Sequence, residues 1–269
     1  MLPDLMSPLV VKTVRDWRRA TVGWAVGLAV FVLVYLGSWA SLRDQDALLT
    51  LKTDTMPKGL SVAFGLQDMT TGAGYLQSTV YSVIGPLLLS MAGIMFGAKA
   101  VAGLEDRHVL DLLLANPISR QRFVWQRYCA LLTVMGGLGL VLLVLPLLLS
   151  QTLHMGVSVV DVTAASVGLF ALGLLHATLS MAVGAATGRR ATALGVAGTV
   201  AMAGYVIFAL GRSVSWLEPL RWLSPFHYYL GGDPLHAGFH VGYLLVLLAG
   251  SAALTGFALR GFDRRDVRV

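Results

Sequence analysis

The sequence predicts an all-α polytopic membrane protein with six transmembrane helices, and three observations lead there. First, 56% of its 269 residues are apolar and only 13% are charged, for a mean hydropathy of +0.73. A water-soluble domain carries roughly 25% charged residues, so this chain lacks the charge to cover a core of its size in water. Second, six runs are free of Asp, Glu, Lys and Arg: residues 20–40, 80–98, 128–149, 162–186, 191–210 and 241–259. Each is close to the roughly 20 residues that cross a hydrocarbon layer of about 30 Å. Third, Lys and Arg are sharply asymmetric across the resulting topology.

That asymmetry sets the orientation. With six spans, both termini share a side. Of the twenty Lys and Arg residues, only Arg43, Lys52, Lys58, Arg212 and Arg221 fall on the opposite side. The positive-inside rule then predicts cytoplasmic termini in a cell (inner, cytoplasmic) membrane. The pI of about 9.7 is on this reading a topology signal and implies no nucleic acid partner. Residues 41–79 and 211–240 become the extracytoplasmic segments, and the whole chain reads as one transmembrane domain. Residues 1–20 lack the apolar stretch of a cleavable signal peptide.

Residues 1–19 are expected to hold a cytoplasmic amphipathic helix. Ser7 and Pro8 suit its start. Val10, Val11, Val14 and Trp17 share one side, and Lys12, Arg15, Asp16 and Arg19 the other. Such a helix rests in the headgroup layer, with its basic face towards anionic membrane lipid. The spans are linked tightly: residues 187–190 alone separate the fourth from the fifth, which forces a hairpin. Glycines such as Gly136, Gly137, Gly139, Gly195 and Gly198 would let helices approach closely, within a bundle or between subunits. Cys129 rules out an intramolecular disulfide and reads as a small buried hydrophobe.

The cytoplasmic segment 104–122 is the most informative. Projected as a helix, residues 105–114 place Arg107, His108 and Asp111 on one face and Val109, Leu110, Leu112 and Leu113 on the other. Asn116-Pro117 should end this helix, because proline removes a donor and disfavours α geometry in the preceding residue. Ser119 is placed to cap the helix that becomes the third span. A short amphipathic helix between two spans is suited to receiving force from a cytosolic partner, or it simply connects them.

The run Glu105-Asp106, then Leu110-Asp111-Leu112-Leu113-Leu114-Ala115-Asn116-Pro117-Ile118-Ser119-Arg120, resembles the signature connection of type-2 ABC transporter permeases. It departs at Arg107-His108-Val109, where that family commonly has acids and Gly-Thr. Two further stretches match in order: Trp222-Leu223-Ser224-Pro225-Phe226-His227-Tyr228-Tyr229, running on to Asp233-Pro234-Leu235, and the ending Gly261-Phe262-Asp263-Arg264-Arg265-Asp266. The outer segment 56–74, with Pro57 and Phe64-Gly65, also fits in position.

The resemblance implies a type-2 ABC permease-like bundle, the membrane subunit of an exporter. It would carry an amphipathic N-terminal helix, pair with a second permease (identical or a paralogue) and be driven by a cytosolic ABC ATPase subunit. Glu105, Asp106, Arg107, Asp111, Leu112, Leu113, Asn116, Pro117, Ser119 and Arg120 would form the coupling helix. Residues 217–229 would pack at the outer leaflet, partly re-entrant. Trp216, Trp222, Phe226, Tyr228 and Tyr229 belong to this segment, and its Trp and Tyr residues suit an aromatic belt by their own chemistry.

The engine is expected elsewhere. A phosphate-cradling loop ends in Gly-Lys-Ser/Thr, and none of the four lysines (Lys12, Lys52, Lys58, Lys99) has that setting. ATP and Mg would therefore bind the partner subunit, with no catalytic residue, cofactor or metal on this chain. An ion-coupled secondary carrier is the alternative, but such proteins place ionisable groups inside their spans, and His176 is the only one deep in a run here. An intramembrane enzyme finds no zinc motif or nucleophile elbow. Asp233, His236 and His240 have a spacing that could seat a metal, although Gly238 between the histidines favours an exposed turn.

Overall fold

The computed structural model describes residues 8–42, 69–106, 119–211 and 214–264, and among these every regular element is helical. In chain order they are α1 (Pro8–Gly37), α2 (Trp39–Leu42), α3 (Gly72–Leu76), a π turn (Gln77–Tyr81), α4 (Ile84–Ala100) and α5 (Ala102–Glu105). After them come α6 (Arg120–Thr152), α7 (Val159–Thr187), α8 (Arg190–Leu210), a 3-10 helix (Ser215–Leu223), α9 (Pro225–Leu230), α10 (Pro234–Ala237) and α11 (Val241–Arg264). Six stretches are long and apolar enough to cross a membrane: α1, residues 72–100, α6, α7, α8 and α11.

The expected N-terminal surface helix has no boundary of its own, because α1 runs continuously from Pro8 to Gly37. No Gly or Pro lies between Leu9 and Thr21 to break the backbone ladder, so amphipathic stretch and first span form one rod. The third span likewise starts earlier than its charge-free run, at Arg120, where Ser119 Oγ accepts the Arg122 N–H at 3.3 Å.

α7 is the centre of the bundle, with α4, α6, α8 and α11 packed around it. In hydrocarbon, helix association depends on close backbone approach rather than on expulsion of water. Here that approach is made by glycine. A Cβ on Gly93 would sit 2.8 Å from the Gly173 carbonyl oxygen, and one on Gly97 would collide with that of Ala177. Polar side chains then pin the contact: Ser180 Oγ donates to the Ile94 carbonyl at 2.8 Å. The α7–α8 hairpin closes through Gly188, whose φ of +69° suits glycine and whose N–H donates to the Gly184 carbonyl.

The second span is broken, and the cause is Pro86. Its ring displaces the carbonyl of Ser82, four residues earlier, and the preceding turn widens to a π turn, with Ser82 N–H on the Gln77 carbonyl at 2.7 Å. By that wider spacing the Tyr81 carbonyl would pair with residue 86, which has no N–H. The Tyr229 hydroxyl donates to it instead, at 2.9 Å.

The outward faces of α1 (Val22, Val26, Val30, Val34), α8 (Val196, Val200, Met202, Val206) and α11 (Val241, Leu245, Phe257) are exposed and apolar. In water such faces would aggregate the protein; in a bilayer they meet acyl chains.

Gly97→Ala is expected to destabilise the protein by about 1–3 kcal/mol, the cost of overpacking, read as a lower Tm and lower abundance in mild detergent. Gly136→Ala, with open space at its Cβ, is expected to be neutral. Equal behaviour of the two variants would refute the close-approach account.

Candidate functional site

Three polar or aromatic clusters stand out from the apolar bundle. The first is at the end where residues 106 and 119 lie. Glu105 closes the short helix α5, Asp106 comes next and is exposed, and Ser119 and Arg120 begin α6. Arg107, Asp111, Leu112, Leu113, Asn116 and Pro117, the remainder of the sequence-predicted coupling segment, lie outside the described residues.

The head of α6, immediately after that segment, is held firmly. Two turns into the helix, Arg127 is buried, at 6% exposure, and its Nη1 donates to Thr13 Oγ1 of α1 at 2.7 Å. Its guanidinium lies 5.2 Å from the Phe123 ring centroid, and the Asp16 carboxylate is near enough to act on its charge. Towards α11, Phe123 stacks on Phe262 at 5.8 Å and Gln121 Nε2 donates to Asp263 at 3.2 Å. The first turns of α6 are therefore tied to both α1 and α11. Sequence reading missed Arg127 because it stands one residue outside the charge-free run and counts there merely as a cytoplasmic charge.

The second cluster is at the opposite end, in residues 215–243. Among its predicted aromatics, Trp216 and Trp222 are exposed (71% and 58%), as a belt requires, but Phe226 and Tyr229 are buried (3% and 4%). The reason is Ser224. It caps α9 by accepting the Phe226 N–H and donates to the Gly204 carbonyl of α8 at 2.7 Å, which turns α9 into the bundle. Tyr229 then reaches the Tyr81 carbonyl, while Tyr228 donates to the Trp222 carbonyl at 2.9 Å.

His227 sits among Trp222, Tyr228 and Tyr243, with centroids at 4.5, 5.4 and 5.5 Å, and neither ring nitrogen has a partner. Burial first, and Arg221 second, hold its pKa below the ordinary histidine value. The metal spacing noted at Asp233, His236 and His240 resolves differently. His236 Nδ1 pairs with Asp233 at 2.9 Å, whereas His240 stacks on Tyr243. Among the described residues no group of three or more ligating side chains comes together.

The third cluster lies within the bundle. His176 is fully buried, with Nδ1 3.0 Å from Ser90 Oγ and its ring 5.8 Å from that of Phe226. Phe226 in turn meets Tyr205 edge-on at 5.4 Å. The arrangement joins α4, α7, α8 and α9. It makes His176 a packed, hydrogen-bonded residue in surroundings with no second ionisable group among its described partners. Farther towards α9's end, Tyr81 Oη and Ser166 Oγ are 2.8 Å apart, and Ser166 donates to the Leu142 carbonyl.

Because native His227 resists protonation while the unfolded ring titrates near 6.5, the unfolded chain binds the extra proton. The stability it contributes is present above a pH of about 6.5 and is lost as pH falls through the lower native value. The Tm should therefore drop between pH 7 and 5, and His227→Phe should flatten that drop. An unchanged slope in the variant would remove His227 as the cause.

The six apolar helices, the charged connection between the second and third and the inward-turned segment before the sixth find their counterpart in one family. The chain matches the family model described as ABC-2 family transporter protein over residues 8–267. No curated protein matches it. With nearly the whole chain inside the match, this multi-pass membrane protein belongs to the ABC-2 transporter family and is an ABC permease.

Proposed function

We propose that the chain is the permease subunit of an ATP-driven exporter and forms the translocation path for an apolar or amphipathic substrate. A separate cytosolic ATPase, which holds ATP and Mg, engages residues 105–120, with Glu105, Asp106, Arg107, Asp111, Asn116, Pro117, Ser119 and Arg120 setting register and Leu112 and Leu113 filling a cleft. A second permease, identical or a paralogue, completes the path. Both termini lie in the cytoplasm of a cell that carries the protein in its inner membrane, a reading supported by the charge asymmetry.

The observation that carries this reading is the anchoring of α6 immediately after the coupling segment. A push on residues 107–118 is delivered to Ser119, at the head of a 33-residue helix. Its first turns hold α1 through Arg127–Thr13 and α11 through Phe123–Phe262 and Gln121–Asp263. Force applied at one loop thus moves the first, third and last spans as a unit. In a bilayer, where a freed guanidinium finds little water, the Arg127 bond is expensive to break.

Purification of the tagged protein in mild detergent should retain a soluble ATPase, and scrambling residues 105–120 should lose it while the permease stays folded. A folded permease with no ATPase, under conditions that preserve other ABC complexes, would instead favour an ion-coupled carrier, with His176 the residue to change next. Pro117→Ala should lengthen the coupling helix and uncouple transport at normal abundance; normal transport by that variant would sink the assignment.

Arg127→Met keeps the apolar stem and removes the bond to Thr13. ATPase co-purification is expected to persist while substrate moved per ATP falls several-fold. Unaltered stoichiometry would show that force takes another route.

A further inference from the structure

Within one turn, α9 carries three side chains that meet different elements. Phe226 packs on Tyr205 of α8 and His176 of α7, Tyr229 donates to the Tyr81 carbonyl beside the break in the second span, and His227 faces the 3-10 helix and α11. His227 differs from the other two in being unsatisfied. It is buried, and both ring nitrogens lack a hydrogen-bond partner.

The surroundings of that ring tolerate only its neutral form. Trp222, Tyr228 and Tyr243 enclose it, His240 is stacked behind Tyr243, and a Cβ on Gly231 would lie 3.0 Å from its Nδ1. The charged group that acts on it is Arg221, of like sign, while Asp233 is engaged by His236. A protonated ring would present two N–H donors with no acceptor. Cation–π attraction offsets part of that cost, but a buried ionised group with unmet donors costs more. Burial first, and Arg221 second, accordingly lower its pKa, so the unfavourable state is reached only in acid.

The tie that α9 maintains is at the weakest point of the second span. Val83 has left helical geometry (φ −126°, ψ −64°), and Pro86 has no N–H to offer the Tyr81 carbonyl. Regular bonding resumes with the Leu87 N–H on the Val83 carbonyl. Residues 72–81 are also held from the other side, because Tyr75 Oη donates to the Tyr35 carbonyl of α1 at 2.8 Å. Tyr81 Oη meanwhile stays on Ser166 of α7, which puts the pivot at the break. Loss of the α9 tie leaves the outer half of the span to follow α1.

We propose that α9 is an acid-released latch: protonation of His227 unseats the helix, withdraws Tyr229 from the Tyr81 carbonyl and frees residues 72–81 to pivot at the break. The charged ring then reaches water, and so does the carbonyl that lost its donor. As a control on substrate exit, the latch rests on the exporter reading. The motion itself does not, because it is measured on the permease without its ATPase.

The test is hydrogen–deuterium exchange on the full-length permease in nanodiscs. Wild type and His227→Phe are compared with each other at pH 7.5 and again at pH 5.0, so the intrinsic pH dependence of exchange cancels. Peptides covering residues 77–85 should exchange alike at pH 7.5. At pH 5.0 they should exchange about three- to tenfold faster in wild type, the worth of one hydrogen bond. His227→Gln, equally unable to take a proton at pH 5.0, should behave as His227→Phe does. Tyr229→Phe should give the fast exchange at both pH values, with Tm at pH 7.5 establishing that each variant is folded.

Equal exchange of wild type and both His227 variants at pH 5.0 overturns the proposal. So does full protection of residues 77–85 in Tyr229→Phe. Acceleration that extends to residues 89–100 and 169–181 also overturns it, because acid would then be loosening the whole bundle. If the latch behaves as described but the complex with its ATPase does not transport, the latch stands and the exporter reading is what fails.

Discussion

The bundle depends on the close approach of the second and fourth spans at Gly93, Gly97, Gly173 and Ala177. In lipid, burying leucine against leucine gains little, because the acyl chains displaced are as apolar as the side chains that replace them. Backbone-to-backbone contact is what remains to hold the helices together, and these four positions permit it. With α7 seated against α4, the other spans have a surface to pack on, and Ser180, Ser166 and His176 find partners on neighbouring helices instead of facing hydrocarbon. Their hydrogen bonds are consequences of the approach and also lock its register.

Pro86 introduces a defect into this core, and the defect joins the bundle to its outer segment. A proline in a spanning helix leaves a carbonyl without its usual donor, which must be satisfied from elsewhere. Here the donor is Tyr229, carried in by a six-residue helix that Ser224 turns inward. The segment between the last two spans is thus part of the core at Phe226 and Tyr229, and an interfacial anchor at Trp216 and Trp222. Any movement of the second span at its break is felt by that segment. At the opposite end Arg127 has the corresponding role, joining the head of the third span to the first. The two ends of the molecule are therefore each tied by a polar contact that apolar packing alone would not specify.

Much of the fold was legible in the sequence because a bilayer makes a harsh demand. Every spanning segment must be apolar and helical over about 20 residues, so six runs can be counted from composition. Helix punctuation was legible for a similar reason: Ser119 caps α6, as a short polar side chain can, and the four residues 187–190 leave room only for a tight hairpin. The site was legible only in part. Trp216 and Trp222 sit at the surface as aromatic-belt chemistry suggests, but Phe226 and Tyr229, adjacent and chemically alike, are buried. Periodicity could not separate them, because the inward turn is imposed by a hydrogen bond to Gly204, a residue on another span. Arg127 was hidden by its position at the end of a run, where a basic residue looks like a topology signal.

The sequence by itself determined that this is a polytopic helical membrane protein, how many times it crosses and which loops are basic. Those properties come from residue-by-residue transfer between water and hydrocarbon, which is local. Only the tertiary structure decided which polar groups are satisfied and which are left waiting: His176 on Ser90 but with Nε2 unpaired, Tyr205 with none, Tyr81's carbonyl on Tyr229. Hydrogen bonds between helices depend on small differences in separation between residues far apart in the chain, and no local pattern encodes them.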